Sequence, residues 1–88
     1  MPTMYGGDLE QLQLLEQQFR NDSQAIVDLR ARITNVLGST AWTGPASDQF
    51  RQEWNGTFSA ALTNLSAALQ ENAQVISSRR QAIAAATA

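Results

Sequence analysis

Acid–base or covalent chemistry in this chain would have to come from carboxylates and hydroxyls, because it holds no Cys and no His. Asp48 and Glu53 are the acids nearest the aromatic centre of the sequence. Five positions apart, they are rotated by about 140° on a helix and do not converge as a general acid and base. Without thiolate or imidazole ligands there is no zinc site of the usual kind, no disulfide framework and no Cys or His nucleophile–base pair. No Gly-rich phosphate loop is present either, so the chain reads as non-enzymatic, with no cofactor and no small-molecule substrate expected. Six arginines, at 20, 30, 32, 51, 79 and 80, stand against eight acids for a net charge of −2. Their scatter is no phosphate-binding footprint, which speaks against nucleic acid as a partner.

What the sequence concentrates instead is aromatic. The stretch AWTGPASDQFRQEW, residues 41–54, holds both tryptophans, Trp42 and Trp54, with Phe50 between them and Gly44 and Pro45 as punctuation. A Trp in a loop that closes the end of two helices can plug the hairpin against Val36, Leu37 or Phe50. It can also stand out as an anchor, beside a Gly that lets another backbone approach. Which of the two applies depends on the elements that flank it.

Those elements read as two long amphipathic helices. In the first half, Leu12, Phe19, Ile26 and Ile33 form one column at heptad spacing, and Leu15, Asp22, Leu29 and Val36 a second. This is the 3-4 pattern of an apolar stripe along a helix. Asp8 can cap its start, and Gly38, taking a left-handed conformation, is expected to stop it, giving a helix from about 8 to 37. In the second half Phe58, Leu65, Asn72 and Arg79 interleave with Leu62, Leu69, Ile76 and Ile83. Pro45 suits a first helical position, so the second helix runs from about 45 to 84. Arg79 and Arg80 read as solvated charges near its end. Residues 1–7 and about 85–88 are left as short flexible tails of one domain.

A connection of about seven residues makes the helices antiparallel neighbours, an all-α hairpin. Folding about residues 41 and 42 pairs positions whose numbers sum to roughly 83, so Ile33 meets Phe50, Ile26 meets Phe58, Phe19 meets Leu62 or Leu65, and Leu12 meets Leu69. Asp22 and Asn72 read as solvated edges of the seam. A further column, Trp54, Ala61, Ala68, Val75 and Ala82, lies beside it. The stripe is wider than one partner helix covers. A chain of 88 residues is also near the size at which one core barely suffices, so two hairpins are expected to pack into a four-helix bundle.

Trp42-Thr43-Gly44 at the midpoint of such a hairpin, followed by Phe50 and Trp54, resembles the WXG family, the small early-secreted-antigen-like substrates of type VII secretion systems. The resemblance spans nearly the whole chain, although its sequence-specific part is only about 13 residues. It implies a hairpin that dimerises with itself or with a paralogous chain and is exported folded by a membrane-bound machine with a hexameric ATPase. Trp42 and Gly44 match the family's turn motif, and Phe50 and Trp54 match its early helix-two aromatics. The family's tail signal, Tyr followed at four places by Asp or Glu, is missing: the only Tyr is Tyr5, and RRQAIAAATA has neither residue type. The chain therefore looks like the subunit of a heterodimer without that signal, or a shortened chain.

The N-terminus MPTMYGGDLE has neither a basic region nor an apolar core, so export would proceed without a cleavable signal peptide. An intracellular helical adaptor or toxin chaperone would use the same hairpin without being exported. Surface binding to membranes fits poorly, because the polar faces are rich in Gln, Asn, Ser and Asp rather than in cations.

Overall fold

The computed structural model describes residues 7–87, so residues 1–6 of the expected N-terminal tail, Tyr5 among them, and Ala88 lie outside the described residues. Helix α1 spans Leu9–Ser39, α2 spans Pro45–Glu53 and α3 spans Ser59–Thr87, past the expected end near 84. A π-helical turn, Trp54–Phe58, joins α2 to α3, so the second arm of the hairpin is one bent helix. The chain folds back once into a thin hairpin with principal extents of 66 × 17 × 14 Å.

Asp8 caps α1 as expected, its Oδ1 accepting from the Gln11 amide at 3.0 Å. The other end differs. Gly38 lies inside the helix, and α1 continues to Ser39 before Thr40 turns extended (φ −81°, ψ 127°). The hydroxyls of Ser39 and Thr40 donate to the Val36 carbonyl at 3.1 and 2.6 Å, and with this satisfied end no left-handed glycine is required. The positive φ falls at Gly44 (118°), which caps α2 ahead of Pro45.

The seam between the arms uses one column of each expected pair and replaces the other. Leu12, Phe19, Ile26 and Ile33 are half-buried, as are Leu62, Leu69, Ile76 and Ile83. Their seam partners, however, are Leu9, Glu16, Ser23, Arg30 and Leu37 on α1, and Ser59, Ser66, Ala73 and Arg80 on α3. The columns expected beside them, Leu15, Asp22, Leu29 and Val36, and Phe58, Leu65, Asn72 and Arg79, are exposed. The cause is size. Ser23 and Ala73 are fully buried and Ser66 nearly so. Ser23 Oγ donates to the Ser66 carbonyl at 2.8 Å, and Ser66 Oγ donates to the Ser23 carbonyl at 3.0 Å. Side chains this small let the two backbones approach within reciprocal reach at this level, which a Leu at position 23 or 66 would prevent.

The register differs as well. The level pairs are Leu37 with Arg51, Thr34 with Trp54 and Ser23 with Ser66, whose numbers add to 88 or 89 rather than to the expected 83. The reason lies at the turn: Ser47 and Arg51 reach back to backbone carbonyls of residues 37–42, so the end of α1 sits level with the second turn of α2. Ile26 therefore does not face Phe58, and Ile33 does not face Phe50.

The π turn accounts for the fate of the second tryptophan. Ser47, Arg51 and Trp54 follow the seam spacing in α2, and four places further on the next position would be Phe58. One extra residue in the turn hands that position to Ser59 and leaves Phe58 42% exposed. Trp54 is 7% exposed, and its Nε1 donates to Thr34 Oγ1 at 3.0 Å. It is thus already covered within the hairpin, whereas Ala61, Ala68, Val75 and Ala82, its expected column, are exposed.

Near the open end, Glu16 accepts from Arg20 at 3.1 Å and from Arg80 at 3.2 Å. Arg80 belongs to the seam and is not a solvated charge, unlike exposed Arg79. Burial pushes the Glu16 carboxyl up, but the hydrogen bonds and positive charges of Arg20 and Arg80 outweigh it and hold the group below its usual 4.5.

Trp54→Ala should cost about 3–5 kcal/mol in the dilute, isolated hairpin, by transfer plus cavity, and Phe58→Ala about 1 kcal/mol or less. Urea midpoints measure both, and equal losses would contradict the seam. Because the native pKa of Glu16 is depressed, its contribution is present above the unfolded-state pKa and is lost as pH falls through the native one. Glu16→Gln should therefore flatten the loss of stability between about pH 5 and pH 3, read from the same midpoints across that range.

Candidate functional site

The exposed columns lie together on one side of the hairpin. An open groove of about 550 Å³ runs between the arms there, lined by Asp22, Ile26, Leu29 and Arg32 of α1 and by Leu65 and Leu69 of α3. A second groove of about 440 Å³ shares Leu29 and Arg32 and continues through Ile33, Val36 and Leu37 to Thr40 at the turn. Leu15, Leu29, Val36, Phe58, Leu65 and Val75 are each at least 39% exposed. The far side of the seam is polar, with Gln13, Arg20, Thr34, Thr63 and Gln70 at the flanking positions and Val27 as the apolar exception. Burial of the Ser23 and Ser66 columns in the seam thus leaves large apolar residues facing outward in a strip, with Asp22, Arg32 and Asn72 among them.

At one end the strip meets the turn. Trp42 and Phe50 pack ring to ring with centroids 5.8 Å apart and planes tilted by 51°, yet Trp42 remains 41% exposed and Phe50 39%. The ring therefore contacts Phe50 without being enclosed. Trp54, the other aromatic of the motif, is not part of this pair: it stacks at 6.5 Å on Phe58 and is bonded to Thr34 inside the hairpin.

The turn itself is held by two residues that sequence reasoning passed over. Ser47, 1% exposed, donates from Oγ to the Trp42 carbonyl at 2.9 Å. Arg51 donates from Nε to Ser47 Oγ at 2.9 Å, from Nη1 to the Leu37 carbonyl at 2.6 Å, and from Nη2 to the Thr40 and Trp42 carbonyls at 3.2 and 3.4 Å. A guanidinium at the C-terminal end of α1 also opposes the negative end of its dipole. One signal pointed this way: Ser47, Arg51 and Trp54 already carry the seam's 3-4 spacing. Likewise the sevenfold repeat Ser59, Ser66, Ala73 marks the close-packed column.

Among the described residues no helix is long and apolar enough to cross a membrane, and no group of three acidic side chains is placed to hold a metal ion. No protein-family model matches this chain, and neither the curated proteins nor the solved structures contain a match.

The two interior glycines of the turn region separate cleanly by geometry. Gly44 has φ 118° and ψ 175°, a region open to glycine almost alone, whereas Gly38 is helical and a methyl group there would meet no atom within 4 Å. Gly44→Ala should cost about 1–3 kcal/mol, and Gly38→Ala should stabilise by up to about 1 kcal/mol. Thermal melts of the two variants provide the check, and the same sign of shift in both would refute the assignment.

Proposed function

We propose that this chain is a WXG-family protein: a small non-enzymatic hairpin that pairs through its apolar strip, with itself or a paralogous chain, into a four-helix bundle. In this reading the bundle is exported folded by a type VII secretion system, whose ATPase and associated components are its transport partners. The observation that supports it best is the outward strip running from Leu15 to Val36 and from Phe58 to Leu65, together with the exposed Trp42–Phe50 pair at the turn. A second helical pair would bury a strip of this kind, and small residues beside it, Ala61 and Ala68, admit close approach. An aromatic on a loop fixed between two helices suits capture by a transport component.

An intracellular adaptor or toxin chaperone would use the same strip, and export separates the two. Sedimentation equilibrium should give dimers at micromolar concentration for the wild-type chain, alone or mixed with a paralogue, and monomers for Leu65→Glu. Secretion from the native host should be lost in Trp42→Ala while dimerisation and helicity persist. A chain that stays monomeric and fully helical with every partner would rule out the bundle. Pairing with retention inside the cell would favour the adaptor. Secretion of Trp42→Ala that simply tracks its melting temperature would remove the recognition role of the turn.

A further inference from the structure

We infer that Arg51 is a positioning residue whose guanidinium fixes the Trp42–Phe50 pair as one preformed anchor, an inference that rests on the reading that the turn is recognised. Loops that carry a single aromatic ordinarily lose ordering entropy when they bind, and a loop already held in its bound form avoids that loss. One side chain links α1, the loop and α2 here. Arg51 bonds the carbonyls of Leu37, Thr40 and Trp42 and, through Nε, the hydroxyl of Ser47, which in turn bonds Trp42. The backbone of Trp42 is therefore tied both to the last turn of α1 and to the first of α2. Phe50, the residue before Arg51, stands against the Trp42 ring at 5.8 Å. The ring is thus located from its backbone and from its face, while 41% of its residue surface stays open.

The bonds that Arg51 makes are additional to those that keep the turn folded. The Leu37 carbonyl also accepts the Thr40 amide at 3.3 Å, the Thr40 carbonyl also accepts the Trp42 amide at 2.9 Å, and the Trp42 carbonyl also accepts Ser47 Oγ. Loss of the guanidinium thus strands none of the three, and the hairpin is expected to fold without it. What disappears is the link between α1, the loop and α2. A Lys cannot supply it, since one ammonium on a flexible stem does not span three carbonyls as a planar fork does.

The test uses the full chain with Trp54→Phe, so that emission reports Trp42 alone, and compares Arg51→Met and Arg51→Lys with a seam variant, Ala73→Gly. In Arg51→Met, acrylamide quenching of Trp42 should rise towards that of an unfolded peptide and its fluorescence anisotropy should fall, with helicity retained. Arg51→Lys should recover only part of this, and Ala73→Gly should leave Trp42 as immobile as before. Secretion of Arg51→Met should fall about tenfold, the factor that 1.4 kcal/mol of lost anchoring gives. If Trp42 stays equally protected in Arg51→Met, the positioning role is overturned whatever secretion does. If Trp42 is freed and secretion persists while Trp42→Ala is not secreted, the preformed anchor is overturned and the recognised turn stands. If both variants are secreted normally, the recognised turn falls and this inference falls with it.

Discussion

Everything about the shape of this hairpin follows from how closely its two arms approach at Ser23 and Ser66. Each hydroxyl donates to the other residue's carbonyl across a buried contact, which is possible because both residues at this level are small. A helix has one surface to divide among its neighbours. Giving the Ser23 and Ser66 columns to the inner seam turns Leu15, Leu29 and Val36, and Phe58 and Leu65, outward. Two kinds of surface are thereby separated: a close, partly polar contact inside the chain, and an outward face that carries the larger apolar residues.

The π turn shows the same division at a single residue. Its extra residue puts Ser59 rather than Phe58 on the seam after Trp54, which is bonded to Thr34, and leaves the neighbouring aromatic Phe58 on the outer strip. The inner contact is satisfied by a ring with a polar edge, which can donate to a hydroxyl, and the outer one receives a ring with none. Such turns interrupt the regular ladder of a helix and recur where a side chain must be re-aimed.

The coarse fold was legible because heptad spacing, Asp8 and Pro45 are local signals that nothing long-range overrides. The half-buried columns through Phe19 and Leu69 were legible for the same reason. What misled was the assumption that the most apolar column faces the nearest helix. Hydropathy ranks Leu29 above Ser23 for burial, but close approach ranks them the other way, and only the arrangement of both arms reveals which criterion applies. The register was misjudged because a side chain, Arg51, ties the arms to one another inside α2, which loop length alone does not convey. Gly38 and Gly44 exchanged roles on similar grounds: hydroxyls at Ser39 and Thr40 supply one cap, and only backbone geometry identifies the other. Phe50 was one of three neighbours offered for Trp42, whereas the inserted residue after Trp54, which turns Phe58 outward, is announced by no periodicity.

The order of cross-links along the hairpin also has a kinetic meaning. Arg51 and Leu37 are 14 residues apart, Trp54 and Thr34 are 20, Ser66 and Ser23 are 43, and Arg80 and Glu16 are 64. Closing a loop costs entropy that grows with the logarithm of its length, so the contacts beside the turn form most readily from the open chain. Once they exist, each further pair closes only the residues added since the last one rather than its whole separation. The hairpin is thus built to zip from its turn towards its termini and to fray in the reverse order, and the segment that displays Trp42 is the first to be ordered and the last to be lost.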